Sequence, residues 1–206
     1  GIITCKNCKK QFKYISKAKG REKHMKKILF VASEGVPFIK TGGLADVVGS
    51  LPKCIDKEYY DVRVIIPKYS CMSDAVKAQM KYNAHFYMDY NWKDVYVGIL
   101  EAEVDGIKYY FVDNEDYFTG FKPYTDDALF EIEKYAFFSK SCLSALPIIG
   151  FRPDVIHCHD WQTGLVPVYL HERFQGNEFF HGIKTVMTIH NLKFQGVWSI
   201  QGMKDL

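Results

Sequence analysis

The sequence predicts a doubly wound α/β fold built on a mostly parallel sheet. Three short apolar runs have the composition of buried parallel strands, and each is followed by a polar loop: residues 27–33, 154–158 and 184–189. A glycine-containing loop and a helical pattern follow the first run, and a further strand is predicted at residues 61–67. This order of strand, loop, helix and strand is the usual opening of such a sheet.

The first predicted helix follows the loop at residues 34–43. Pro52 lies inside its pattern and indicates a kink or an end, because proline has no N–H and crowds the preceding turn. The apolar residues that recur at helical spacing are Leu44, Val47, Val48, Leu51 and Ile55.

The middle of the chain predicts a β-hairpin. Residues 95–104 alternate in part between apolar and polar, Asp105 and Gly106 form a typical tight-turn pair, and residues 107–112 form a second apolar run. We expect this hairpin to be an antiparallel elaboration near the edge of the sheet.

Two more helices are predicted in the second half. Residues 162–174 form an amphipathic pattern, and no regular structure is predicted for residues 192–206. The longer helix is predicted at residues 128–146, with one apolar face formed by Leu129, Ile132, Ala136, Leu143 and Leu146.

Length and composition indicate an ordinary cytoplasmic protein. The 206 residues suit one large α/β domain, with or without a tail. No apolar run approaches the ~18 residues that a membrane span needs, and the lysine-rich start lacks the apolar core of a secretory signal. Residues 1–24 hold eight of the 27 basic residues and one of the 24 acidic residues. The remainder is therefore mildly acidic, which argues against nucleic acid as a partner.

The cysteines do not predict a disulfide framework. We expect four of them to be reduced and mostly buried: Cys54, Cys71, Cys142 and Cys158. Cys5 and Cys8 form one CxxC pair, which is half of a zinc site, and His24 is the available third ligand. We favour a flexible basic leader at residues 1–24, a folded domain at residues 25–206 and no metal site.

Three polar clusters follow predicted strands, at the sheet edge where doubly wound folds bind ligands. The first runs from Lys40 to Asp46 and includes two glycines before a helix, which suits an anion or sugar phosphate but also an ordinary structural loop. The second runs from His157 to Gln162 and suits hydroxyl binding or loop packing. A metal is disfavoured there because Asp160 points away from the two histidines of the strand. The third, His190–Asn191, is weak alone.

Taken together, these segments resemble one family. EGVPFIKTGGLADVVGSLPK, PDVIHCHDWQTGLVPVYL and TIHNLKFQG resemble three signatures of bacterial glycogen synthases and plant starch synthases. NWKDVYVGILEAEVDGIKYYFVDN resembles the hairpin region between the first two. The similarity covers nearly all of residues 25–202, and KTGGLADV is its most diagnostic stretch.

The resemblance implies the GT-B arrangement, in which two Rossmann-like domains face each other across a cleft, and this chain corresponds to the N-terminal half. It implies retaining transfer of glucose from ADP-glucose to the non-reducing end of an α-1,4-glucan, with no cofactor and no metal. It also implies a C-terminal nucleotide-binding domain as partner, and no such domain lies before Leu206. We therefore expect the 206-residue chain alone to have negligible synthase activity.

The resemblance also assigns roles to the glycine loop. Lys40 matches the family lysine near the donor phosphate and sugar, and is expected to be catalytic and substrate-binding. Gly42 and Gly43 match the glycines that let the backbone approach the donor. Asp46 matches the acidic residue that follows them.

Further roles fall on the later signatures. Asp160 matches the acid of the second signature, and His190 and Asn191 match the pair beside the transferred glucose. The main-chain carbonyl of His190 is expected to stabilise positive charge at the anomeric carbon. Tyr124 matches an active-site tyrosine. Gln162 departs from the histidine usual at its position, which excludes acid–base catalysis there because an amide does not titrate near neutrality.

Two alternatives remain open at this stage. One is a GT-B transferase that uses another nucleotide sugar, such as a UDP-sugar, since the nucleotide is recognised largely outside this segment. The other is a stand-alone glucan-binding or regulatory module.

Overall fold

The computed structural model describes residues 25–197, together with the backbone of two short strands near the start of the chain. These are β1 (Ile2–Thr4) and β2 (Gln11–Lys13), which pair antiparallel. Apart from these strands, the predicted leader and its CxxC pair lie outside the described residues, as do residues 198–206.

A seven-stranded sheet forms the centre of the molecule, in the order β5-β6-β7-β4-β3-β8-β9. Pairs among β7, β4, β3, β8 and β9 are parallel, whereas β5 and β6 are antiparallel to their neighbours. The predicted doubly wound, mostly parallel sheet is confirmed. The strands are β3 (Lys26–Val31), β4 (Tyr60–Pro67), β5 (Lys81–Tyr90), β6 (Lys93–Val104), β7 (Ile107–Asp113), β8 (Val155–His159) and β9 (Lys184–Thr188).

Helices connect these strands. No helix in the described ranges is both long and apolar enough to cross a membrane. The α-helices are α1 (Gly43–Cys54), α2 (Asp74–Lys77), α3 (Ala128–Ile148) and α4 (Leu165–Tyr169). Shorter turns are the 3-10 turns Trp161–Thr163 and Glu178–Phe180 and the π-helical turn Leu170–Phe174.

The strand order reverses at β3. The chain passes from β3 to β4 and β7 on one side, and then returns to β8 and β9 on the other side. Connections on the two sides of such a reversal diverge, so a crevice opens at the carboxyl ends of β3 and β8. The core strands around this point are apolar, and Leu29, Phe30 and Val31 of β3 are at most 1% exposed.

The predicted hairpin is present as β6 and β7. The turn residues Asp105 and Gly106 both have positive φ, 53° and 69°, as a two-residue hairpin turn requires. The second strand of the hairpin also pairs in parallel with β4, which builds the hairpin into the main sheet. An additional strand, β5, forms the outer edge and was not predicted from the sequence.

Helix α3 agrees with its predicted range, and four of the five residues of its predicted apolar face are buried: Ile132, Ala136, Leu143 and Leu146. The exception is Leu129, which is 64% exposed and lies in the first turn, two residues after the capping residue Asp127. The rest of the helix is buried on most sides, and even the charged residues Glu131 and Lys134 have only 4% and 2% of their surface exposed.

The segment predicted as one amphipathic helix, residues 162–174, is divided between a 3-10 turn, α4 and a π-helical turn.

The four cysteines in the described part of the chain are free. Cys142 and Cys158 are buried, but Cys54 and Cys71 are only half-buried, so the expectation of burial holds for two of the four.

Candidate functional site

A cleft of about 780 Å³ opens at the carboxyl ends of β3, β8 and β9. Its walls come from the loop after β3, the segment before α3, and the loops after β8 and β9. Six of the predicted site residues line it: Gly42, Gly43, Tyr124, Asp160, His190 and Asn191. The other two, Lys40 and Asp46, are not part of its wall.

Glu34 organises the loop after β3, and sequence reasoning did not single it out. Its carboxylate is buried and accepts hydrogen bonds from the Thr41 N–H at 2.5 Å and the Thr41 hydroxyl at 2.9 Å. A longer contact of 3.4 Å reaches the Gly42 N–H. Its position, an acid directly after the strand predicted at residues 27–33, was the available signal.

The two glycines leave room beside this loop. A Cβ on Gly43 would meet no atom within 4 Å, and a Cβ on Gly42 would meet only the Glu34 carboxylate at 3.8 Å. The protein itself therefore does not require glycine for packing here. The space is open to a ligand that approaches the start of α1, where backbone N–H groups lack helical partners.

Lys40 lies outside the cleft wall and pairs with Asp46. Its ammonium lies 2.8 Å from both carboxylate oxygens, and the two side chains are 52% and 56% exposed. Such exposed pairs contribute little to stability, so Lys40 is held only weakly in this position.

Asp160 joins the ends of β8 and β9. Its φ of 59° and ψ of 178° lie in a region that suits glycine, a conformation that costs on the order of 1–3 kcal/mol. Its N–H donates to the Thr188 carbonyl at 2.9 Å, and its side chain accepts from the His190 N–H at 2.7 Å. Strain of this kind is concentrated at functional sites.

The buried His159 and the half-buried His157 lie beside His190. His159 Nδ1 lies 2.9 Å from His190 Nε2, while its Nε2 has no hydrogen-bond partner in the described residues. Burial, followed by the charges of His157 and His190, lowers the pKa of His159 to about 2. Burial and His190 lower the pKa of His157 to about 4, and its Nε2 lies 2.7 Å from Thr188 Oγ1. Both imidazoles are therefore neutral near pH 7.

These histidines do not assemble a metal centre with their surroundings. Their rings stack on each other with centroids 4.1 Å apart, and Phe30 packs against both. In residues 25–197, no group of three or more histidine, cysteine or acidic side chains is arranged to hold a metal ion.

Tyr124 supplies a neutral hydroxyl to the cleft. Its Oη lies 2.8 Å from Ser33 Oγ, and burial raises the pKa of its phenol, so the group stays protonated. Tyr69 donates to the Ser33 carbonyl at 2.9 Å and lies 2.9 Å from the Tyr135 hydroxyl. The resulting network of hydroxyls fixes Tyr124 at the end of β3.

A buried ion pair holds the backbone on both sides of Tyr124, and it too escaped sequence reasoning. Lys134 donates to the Pro123 carbonyl at 2.7 Å, and the Thr125 N–H donates to Glu131 at 2.9 Å. Lys134 and Glu131 pair directly, with side chains 2% and 6% exposed. Burial is the main factor that lowers the pKa of Lys134.

Two amides complete the polar lining. Gln162 is 9% exposed, and its Oε1 has no hydrogen-bond partner in the described part of the chain. Asn191 is exposed, and its Oδ1 accepts from the Lys193 N–H at 2.9 Å. The cleft thus combines amides, a tyrosine hydroxyl and several carboxylates, which together suit a ligand rich in hydroxyl groups.

Residues 27–206 match the family described as starch synthase catalytic domain. The chain belongs to this family. It is 63% identical over 182 residues to a glycogen synthase of Lachnoclostridium phytofermentans and 60% identical over 185 residues to one of Lachnospira eligens. In both comparisons 88% of the chain is covered, but only 38% of the relative.

A solved starch synthase shares the fold. The catalytic domain of Starch Synthase IV from Arabidopsis thaliana, bound to ADP and acarbose, superimposes with a TM-score of 0.77 at 26% identity. The match covers 88% of this chain and 37% of that one. The sheet is therefore part of a GT-B starch synthase fold, as the resemblance implied.

Proposed function

We propose that this starch synthase domain takes part in retaining transfer of glucose from ADP-glucose to the non-reducing end of an α-1,4-glucan. The observation that carries the proposal is the cleft at the strand-order reversal, where the residues of three family signatures meet. The related Arabidopsis domain was solved with ADP and acarbose, which supports an adenine nucleotide donor and a glucoside acceptor.

In this proposal the cleft positions hydroxyl groups. Tyr124, Gln162 and Asn191 offer neutral donors and acceptors that can orient the acceptor sugar and the transferred glucose. These three side chains are uncharged, and each can both donate and accept a hydrogen bond toward a sugar hydroxyl.

Asp160 and His190 act together on the reacting carbon. The Asp160 carboxylate holds the His190 N–H at 2.7 Å and thereby fixes the backbone from which the His190 carbonyl projects. A carbonyl oxygen held near the anomeric carbon stabilises the positive charge that develops there as the bond to the diphosphate breaks.

In this proposal, Lys40 and the backbone N–H groups at the start of α1 stabilise the leaving diphosphate. Release from the exposed pair with Asp46 requires little free energy, and the ammonium can then reach a phosphate at the helix start. Diphosphate charge stabilised in this way lowers the barrier to departure.

The proposed enzyme also contains a second domain, which corresponds to the part of the curated relatives that this chain does not cover. It would hold most of the nucleotide and close the cleft. We place the reaction in the cytoplasm, and the free cysteines at 54, 71, 142 and 158 fit a reducing compartment.

An assay of glucose incorporation into glycogen tests this function. A full-length synthase that contains this chain should transfer glucose from ADP-glucose in preference to UDP-glucose, and the 206-residue chain alone should show negligible turnover. Preference for another nucleotide sugar would contradict the donor assignment. Turnover by the isolated chain near that of the full-length protein would contradict the need for a second domain.

A further inference from the structure

Glu34 is a buried acid whose hydrogen-bond donors, in the part of the chain that the structure describes, are all neutral. Its side chain is 3% exposed and accepts from the Thr41 N–H, the Thr41 hydroxyl and, at the longer distance of 3.4 Å, the Gly42 N–H. A buried carboxylate without a cation is costly, and a neutral amide oxygen could accept from the same groups. Stability of the loop therefore does not explain why an acid stands at this position.

A carboxylate holds the loop more firmly than an amide would, because hydrogen bonds to an ionised acceptor are roughly twice as strong as neutral ones. Those that end on Glu34 fix Thr41 and Gly42, the two residues directly before α1. Gly42 is the N-cap and has no side chain that could accept from the first turn of this helix. The N–H groups before the helix are thus taken, while those of its first turn are left for a ligand.

The same carboxylate is linked to Tyr124 in the segment before α3. The Thr41 hydroxyl donates its single proton to Glu34 at 2.9 Å, and its oxygen also interacts with the Tyr124 hydroxyl. In that contact Thr41 can only accept, so Tyr124 is the donor. Burial, and after it the charge of Glu34, raises the pKa of Tyr124, which favours the protonated phenol that this donation requires.

We propose that Glu34 is a positioning residue for glucosyl transfer, which places the glycine loop for the diphosphate and, through Thr41, the Tyr124 hydroxyl for the sugars. Glu34 acts through these groups and does not have to touch a substrate. Because Tyr124 donates toward Thr41, its oxygen is left to accept a hydrogen bond from a sugar hydroxyl. This inference rests on the proposed function, since it assumes that a diphosphate and a sugar meet in the cleft.

Glu34→Gln in a full-length synthase tests the positioning role. The amide keeps the size of the side chain and one acceptor oxygen, but it loses the charge and adds N–H groups beside the donors of the loop. We expect kcat to fall about tenfold or more, with a smaller change in the KM for ADP-glucose, because misplaced donors matter most when charge develops on the diphosphate. Glu178→Gln, at an exposed acid in a 3-10 turn, is the matched control and should have the kinetics of the parent.

Thr41→Val tests the link to Tyr124 while the acid stays in place. Valine has nearly the shape of threonine and keeps the backbone N–H that donates to Glu34, but it has no hydroxyl. Turnover should fall in Thr41→Val, and Thr41→Ser, which restores a hydroxyl, should recover most of the loss. If Thr41 acts through Tyr124, the loss of kcat/KM in T41V/Y124F should be smaller than the product of the two single losses.

Thermal unfolding of each variant separates positioning from simple stabilisation of the loop. A lower melting temperature in Glu34→Gln and Thr41→Val, with kcat equal to that of the parent, would mean that Glu34 only stabilises the fold and would overturn the proposal. Losses in Thr41→Val and Tyr124→Phe that multiply independently would overturn the link between Glu34 and Tyr124.

A comparison of donors separates this inference from the proposed function. A parent synthase that prefers UDP-glucose would contradict the ADP-glucose assignment, and the same variants assayed with UDP-glucose would still decide the role of Glu34. Transfer from ADP-glucose by the parent, with unchanged kinetics in both Glu34→Gln and Thr41→Val, would overturn the inference alone.

Discussion

Lys40 is held at the edge of the cleft by a weak, exposed pair with Asp46. Replacement of Lys40 by alanine in a full-length synthase should lower kcat/KM by about 10²-fold, because a cation that stabilises the leaving diphosphate would be lost. Steady-state kinetics with ADP-glucose measure this effect. The matched control is Lys53→Ala, which removes a lysine of α1 that pairs with Asp105 in the β6–β7 turn. Equal kinetics for both variants would exclude a role for Lys40 at the diphosphate.

The buried His159 predicts how the free energy of unfolding depends on pH. Its pKa is about 2 in the folded chain, against about 6.5 in an unfolded chain. As the pH falls below 6.5, the unfolded state takes up a proton that the folded state does not, so stability is lost by about 1.4 kcal/mol per pH unit. Between pH 6.5 and 4, the pH dependence of the unfolding free energy should be shallower in His159→Gln than in the parent.

Urea unfolding at several pH values measures this slope. His171→Gln is the control, because it removes a histidine whose side chain is 76% exposed. His157 lies against His159 and shares its titration, so the parent slope belongs to the pair. A slope in His159→Gln as steep as that of the parent would show that this histidine is not kept neutral by the fold.

Residues at strand ends could be predicted as site residues because a parallel sheet collects its carboxyl ends at one edge. This is why Asp160, His190 and Asn191 were found from spacing and resemblance alone. Glu131 and Lys134 could not be found in this way. A charged pair three residues apart on a helix normally indicates a solvent-exposed face, and only the packing of residues 123–125 over α3 shows that this one is buried.

At the scale of elements, the Glu131–Lys134 pair joins α3 to the segment that carries Tyr124. Lys134→Met should lower the free energy of unfolding by about 3–5 kcal/mol, because it leaves the Glu131 carboxylate buried without its cation. The double variant E131Q/K134M should lose less, since no charge is then left unpaired. Urea unfolding measures both changes.

The control for this pair lies in the same segment. Lys122 pairs with Asp126, but these side chains are 62% and 98% exposed, so Lys122→Met should change stability little. A loss in Lys134→Met no larger than that in Lys122→Met would mean that the buried pair does not hold the Tyr124 segment.

Elements were predicted well where a strand is buried on both faces, as in β3 and β4, or where a helix is buried on one face, as in α1. β5 was missed because tyrosines on its exposed face obscure the alternation of polar and apolar residues. Residues 162–174 were predicted as one regular helix, because the spacing of apolar residues does not show which backbone hydrogen bonds form. Leu129 was assigned to the core by spacing, although its place in the first turn of α3 leaves it at the surface.

For the whole molecule, β9 ends the sheet as an exposed edge strand. Val186, Met187 and Ile189 are 47%, 42% and 58% exposed, and one side of the strand lacks a partner strand among the described residues. Open apolar edges favour association between chains. The 206-residue chain should therefore self-associate as concentration rises, and Val186→Lys should shift it toward monomer.

Sedimentation velocity over a range of concentrations measures this association. Val168→Lys is the matched control, because Val168 is 49% exposed but belongs to α4 and not to β9. An equal shift toward monomer in both variants would indicate that the added charge repels neighbouring chains in general. Association through β9 would then be excluded.

Asp160 ties the ends of β8 and β9 together in a backbone conformation that favours glycine. A glycine at this position would relieve the backbone, but it would leave the His190 N–H without the carboxylate that accepts from it. Stability and the placement of the His190 backbone therefore favour different residues at the same position.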